Sequence, residues 1–126
     1  MWNLVLRFVL GCLLLLLLGF VFVASVDRGV LSALEELAAD PWVATTLVDI
    51  YIGFFIFWLW LAYRETSWFA RLGWAVAIVV LGNIATLVYL LLRLFAMKAD
   101  EGVPELLLRP EHAERFRSGE AEDEVP

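Results

Sequence analysis

Two polar residues stand where hydrocarbon surrounds them. Asp49 is the one ionisable residue in the apolar stretch from about Ala44 to Tyr63, and Asn83 lies in the middle of another, from about Ala70 to Phe95. On insertion scales a charge near a span's centre costs at least about 2.5–3.5 kcal/mol, so Asp49 calls for a partner. Measured from the short link between the stretches, both residues lie roughly 20 Å away at about 1.5 Å of rise per residue, which sets them at one depth. A carboxyl and a carboxamide at one level can hydrogen-bond across a helix interface, with Gly53 and Gly82 letting the backbones approach. Thr45, Thr46, Thr86, Ser25 and Tyr89 fall toward the same membrane half and extend a polar patch. Two readings stay open. The patch is packing glue worth about 0.6–2 kcal/mol per hydrogen bond, or it is a site for a proton, an ion or a lipid headgroup, with Asp49 as acid or base and Asn83 holding it.

Glu65 completes the candidate catalytic set, although its ordinary reading is a solvated interfacial ion pair with the nearby Arg64 or Arg71. On one continuous helix Asp49 and Glu65 would point roughly 160° apart, so they are not a carboxylate pair for shared acid–base catalysis. No metal set is expected, since His112 is the only histidine and Cys12 the only cysteine. No glycine-rich phosphate loop or Gly-x-Ser-x-Gly elbow is present, and no cofactor is implied. A formal net charge of −6 argues against nucleic acid as a partner.

The elements that must position these residues follow from composition. With 63% hydrophobic and 19% charged residues in 126, the chain exceeds what a soluble core can hide. The expected fold is an all-α membrane protein with three transmembrane helices, at about 4–26, 44–63 and 70–95, because roughly 20 apolar residues cross a bilayer. Trp58, Trp60, Trp68 and Trp74 flank the turn between the last two spans, as interfacial indoles do. A cleaved signal peptide ending near Ala24-Ser25-Val26 is disfavoured by the length of the first apolar run.

Between the first two spans, Val30, Leu31, Leu34, Leu37 and Ala38 fall at helical spacing and predict a short amphipathic interfacial helix. Asp40-Pro41 predicts an N-cap and first turn for the second span, and Thr66 or Ser67 an N-cap for the third. Residues 1–97 thus form a transmembrane domain and 98–126 an acidic soluble tail, disordered at its end from Gly119. Flanking basic residues are nearly balanced for three spans, and Arg7 tips the N-terminus and hairpin turn toward the cytoplasm.

At Ala39-Asp40-Pro41-Trp42, Asp49-Ile50-Tyr51-Ile52-Gly53-Phe54, Ala62-Tyr63-Arg64-Glu65-Thr66-Ser67-Trp68, Leu81-Gly82-Asn83-Ile84-Ala85 and Glu105-Leu106-Leu107-Leu108-Arg109, the chain resembles a family of small uncharacterised three-helix membrane proteins, a domain of unknown function. The resemblance covers roughly residues 25–109. A weaker likeness, in the membrane Asp followed by a Trp-rich hairpin and a third span, links the chain to one half of membrane-embedded terpene and lycopene cyclases. That likeness implies buried carboxylates, here Asp49 and Glu65, acting on an isoprenoid.

These readings converge on a multi-pass protein of the inner or plasma membrane, whose partners are the lipid bilayer and either a second copy or another membrane subunit. The leading expectation is an accessory or interaction subunit. The alternatives are a lipid- or isoprenoid-processing enzyme using Asp49 as acid, and an oligomeric proton-coupled transporter.

Overall fold

The computed structural model describes residues 2–27, 29–98 and 101–123, and among these it is helical without strands. Seven helices follow one another: α1 (Trp2–Asp27), α2 (Val30–Ala38), α3 (Pro41–Arg64), α4 (Trp68–Leu81), α5 (Asn83–Ala96), α6 (Val103–Leu107) and α7 (Pro110–Asp123). The Leu-rich α1 and aromatic-rich α3 carry no interior proline, and at 26 and 24 residues each is long and apolar enough to cross a membrane. The apolar windows of both are unburied within the chain.

Local chemistry sets the first boundaries as the sequence predicts. The short α2 occupies the expected place. Asp40 caps α3, its Oδ1 accepting from the backbone N–H of Trp42 at 2.9 Å, with Pro41 in the first turn. Ser67 stands at the N-cap of α4, without a side-chain cap. The hydroxyls of Thr45 and Thr46 donate back to the carbonyls of Pro41 and Trp42, 2.9 Å in each case, and Ser25 to Val21 at 2.7 Å. Such hydroxyls are used within their own helices.

The expected third span, 70–95, is not one helix. Gly82, at φ 57° and ψ −129°, ends α4 and starts α5. Side chains are barred from this backbone region, and glycine alone enters it without strain. The chain reverses there. Trp74 and Tyr89 would be about 22 Å apart on one straight helix, yet their ring centroids are 5.0 Å apart. The physical reason for the correction is this glycine, which divides a 26-residue apolar run into two helices of 14 residues. At about 21 Å each, these fall short of the roughly 30 Å core of a bilayer.

The hairpin packs against α3, where Phe54 lies across Gly82, and the Tyr51 hydroxyl donates to the Val79 carbonyl at 3.3 Å. Leu61, Ile78, Ala85 and Tyr89 form the buried centre, bordered by Phe57, Trp60 and Trp74. Tyr89 is 1% exposed and meets those three aromatic rings edge-on, a geometry worth about 0.5–1.5 kcal/mol per pair beyond burial.

α5 returns alongside α1, running the opposite way. Near the chain's N-terminus Arg7 donates to the carbonyls of Leu94 and Met97, which close α5, and its guanidinium lies over the Phe95 ring. This supplies donors and positive charge to the free carbonyls of a helix C-terminus. Asn3 donates to the Glu101 carbonyl at 3.2 Å, and Leu6 and Leu10 border a second apolar cluster of Leu94, Met97 and Leu106.

The segment after residue 97 is also helical. Trp60 Nε1 donates to Leu107 O at 3.0 Å, and the Tyr63 hydroxyl shares a hydrogen bond with His112 Nδ1. α7 continues through Asp123, beyond the Gly119 at which the sequence reading ends structure; residues 124–126 lie outside the described ones.

A methyl group at Gly82 would fall 3.1 Å from Phe54 Cζ and require a positive φ. Gly82→Ala is expected to destabilise the hairpin by about 1–3 kcal/mol and to lengthen the spacing between spin labels at positions 75 and 88. An unchanged melting temperature together with an unchanged label distance would show that the reversal does not depend on glycine.

Candidate functional site

The three side chains singled out from the sequence are not gathered at one place. Asp49 is exposed on α3 and makes no hydrogen bond or ion pair among the described residues. Asn83 is exposed in the first turn of α5, and its carbonyl Oδ1 is the 3.5 Å acceptor of the Thr86 hydroxyl, which also donates to the Asn83 backbone carbonyl at 2.9 Å. The expected Asp49–Asn83 hydrogen bond is therefore not formed. The depth estimate placed both residues level with the end of α4, but the reversal at Gly82 turns Asn83 into a new helix. Gly53 has open space around its Cα, so only Gly82 of the two expected glycines sits in a close approach.

Glu65 is also not the solvated interfacial partner of Arg64 or Arg71 that the sequence suggests. It follows the last turn of α3, and its backbone N–H closes that helix on the Leu61 carbonyl at 2.8 Å. Arg71 reaches back from α4 to donate to the Glu65 backbone carbonyl through Nε at 2.9 Å and Nη2 at 2.7 Å. The carboxylate is thereby left for α5. Its Oε1 accepts from the Tyr89 hydroxyl at 2.9 Å and forms an ion pair with Arg93. The Glu65 side chain is 12% exposed and that of Arg93 33%.

Tyr89 and Arg93 are one helical turn apart, so a single face of α5 presents a neutral donor and a cation to the same carboxylate. The Arg93 guanidinium also lies 5.3 Å from the Tyr89 ring centroid. Arg64, in the last turn of α3, is buried at 7% exposure. Its Nε and Nη1 are sealed from solvent without an acceptor among the described residues.

α6 and α7 close the lower side. Glu105 Oε1 accepts from Arg117 at 2.8 Å, while its Oε2 takes the Gly102 backbone N–H at 2.8 Å, as in the return half of a capping box. The Arg117 hydrogen bond, followed by the backbone donors of Glu105 and Gly102, holds the Glu105 carboxyl below the usual glutamate range. A cavity of about 220 Å³ lies among Arg64, Arg93, Glu101, Glu105, Glu114 and Arg117. Higher up, Tyr51, Phe55, Trp58 and Val79 line an apolar groove of about 370 Å³ between α3 and α4.

Among the described residues no cluster of three or more metal-ligating side chains occurs. The arrangement supplies fixed cations, one shared carboxylate and one buried phenol. Asp49 and Glu65 are separated by 16 residues of one helix, about 24 Å along its axis, so they cannot meet on one substrate atom.

Sequence reasoning missed Tyr89 and Arg93 as partners of Glu65. The available signal was Gly82-Asn83 in the middle of the third apolar run, a pair of residues that interrupts helices. Read as a break, it brings Glu65 opposite the Tyr89–Arg93 turn.

The chain belongs to the family described as protein of unknown function (DUF1475), whose model matches residues 3–112. The match takes in every residue of the Glu65 cluster. No curated protein and no solved structure matches significantly.

Two expected outcomes follow from the geometry. Tyr89→Phe retains the aromatic packing and removes one donor to a charged acceptor, at a cost of about 1.5–3 kcal/mol. Glu65→Gln leaves Arg93 without its carboxylate as well, so it should cost at least as much. A double-mutant cycle followed by intrinsic fluorescence should give a clear coupling energy, and strict additivity would count against a shared acceptor.

For Glu105 the lowered carboxyl value means a contribution to folding that is present above the ordinary glutamate range. It is lost as pH falls through the lowered value. Amide exchange in 103–117 should accelerate over that acidic window, and Glu105→Gln should remove the pH dependence.

Proposed function

We propose that this is an integral membrane protein acting as a small accessory or interaction subunit, with two crossings and one re-entrant hairpin. The observation that supports the reading is the placement of its charges around its apolar helices. Arg7, Arg64, Arg71, Arg93, Lys98, Arg109, Arg115 and Arg117 all lie at the end where α1 starts, α3 gives way to α4, and α5 finishes. The remaining basic residue, Arg28, is outside the described residues and falls in sequence between α1 and α2. Asp27, Glu35, Glu36 and Asp40 fall between α1 and α3, while Glu65 and the acidic residues after residue 98 accompany the basic ones, and it is Lys and Arg rather than net charge that orient spans.

Positive residues beside spans mark the cytoplasmic side, so the basic end is cytoplasmic in this reading. The near balance of charge expected for three spans comes from placing the tail opposite the N-terminus. With the hairpin re-entrant, the tail joins the N-terminus. The exposed apolar flanks of α1 and α3 then face lipid or a partner helix, since a solvated chain would leave Phe8, Leu15, Phe20 and Phe22 uncovered. An accessory role suits a chain whose gathered polar groups sit at one end, beside a membrane-facing surface open to neighbours.

Alkaline carbonate should leave the protein in the membrane pellet, and detergent should release it. In a Cys12→Ser background, a cysteine at Ser32 is expected to react with an impermeant maleimide from outside and one at Ser118 only after permeabilisation. Three crossings would put both positions on the same side. Labelling of both from one side would overturn the re-entrant topology, and release by carbonate would overturn the membrane reading itself.

A further inference from the structure

We infer that the cavity beneath Arg64 and Arg93 binds a phosphate oxyanion, and that the group it fits best is a singly charged phosphodiester. Arg64 drives the inference. A guanidinium does not shed its proton within the range of protein stability, and burying a charge without a counter-ion is strongly unfavourable. Yet Arg64 is 7% exposed, two of its three nitrogens are sealed without acceptors, and it makes no hydrogen bond or ion pair among the described residues.

Its nearest carboxylate by sequence, Glu65, is taken by Tyr89 and Arg93. Arg64 instead lines the 220 Å³ cavity, and Arg93 lines the same space. Arg117 lines it too, so three guanidinium groups share one cavity, and Arg64, which lacks a counter-ion among the described residues, makes it a receptor for a planar or tetrahedral oxyanion.

The rest of the wall sets the charge of the ligand. Glu105 is already engaged by Arg117 and the Gly102 N–H, and Glu101 Oε2 accepts the Lys98 backbone N–H at 3.0 Å. Glu114, exposed, lies at the rim. These carboxylates oppose a dianion more than a monoanion, which favours a phosphodiester over a phosphate monoester. Such a group comes from a phospholipid headgroup or from a small soluble phosphate compound.

The lipid source rests on the membrane reading above; the oxyanion site does not. If carbonate released the chain while a soluble phosphate still stabilised it, the site would stand and the membrane reading would fall.

The test is thermal unfolding of the full chain in a neutral detergent, with three additions: phosphatidylglycerol, diacylglycerol as the phosphate-free control, and inorganic phosphate at constant ionic strength. Stabilisation by phosphatidylglycerol alone identifies a lipid phosphodiester. Stabilisation by inorganic phosphate as well identifies a site satisfied by the free oxyanion. In either case Arg64→Met should weaken the apparent affinity roughly ten- to hundredfold, the loss expected for a charge-assisted hydrogen bond.

Arg64→Met should also be at least as stable as the unliganded wild type, because it removes an uncompensated buried charge. No stabilisation of the wild type by either phosphate source, or equal stabilisation by diacylglycerol, overturns the proposal even if the variant does not fold.

Discussion

The positive φ at Gly82 is the constraint from which the other long-range contacts descend. A side chain there would meet the Phe54 ring and force the backbone into a region that L-residues avoid. With glycine in place, α4 and α5 fold against each other, and Tyr89 enters the space between Phe57, Trp60 and Trp74. A continuous helix through residue 82 would carry Tyr89 and Arg93 away from Glu65, leaving a carboxylate and a phenol without their partners.

The reversal also explains why one end of the molecule is rich in charge. It returns the chain to the level of the α3–α4 link, where Arg7 from α1 caps α5. There α6 and α7 attach through Trp60, Tyr63 and the Glu105–Arg117 pair. Neighbouring guanidinium groups repel, and the fold manages this unequally. Arg7 and Arg71 donate to backbone carbonyls, Arg93 pairs with Glu65 and Arg117 with Glu105, whereas the buried Nε and Nη1 of Arg64 have no acceptor among the described residues. Stability favours pairing every buried charge, and it is this exception beside a cavity on which the proposed oxyanion site rests.

A good part of the architecture was legible in local chemistry. Helix length and apolarity gave α1 and α3, the Asp40-Pro41 step gave the boundary before α3, and the spacing from Val30 to Ala38 gave α2. Each depends on neighbours within a few residues. The candidate site was less legible, because hydropathy reads Ala70 to Phe95 as one unbroken run and is insensitive to a single glycine's φ. Asp49 and Asn83 were matched by depth, and depth says nothing about the face a residue takes once its helix has been broken. Glu65 was correctly placed at the end of a helix but assigned to Arg64 and Arg71, its neighbours in sequence. The carboxylate is held instead by residues 24 and 28 positions away.

The sequence by itself determined an all-helical chain with two long apolar helices, a short helix between them and a capped entry to the second, since propensity, capping and length are properties of contiguous residues. Tertiary structure alone decided that α5 returns beside α1, that Tyr89 and Arg93 share Glu65, and that Arg64 is buried without a counter-ion among the described residues. Those outcomes depend on the direction the backbone takes at residue 82 and on which side chains then compete for one carboxylate; Gly82-Asn83 marks a break locally, but neither the direction of the chain through it nor the outcome of that competition is written in a local pattern.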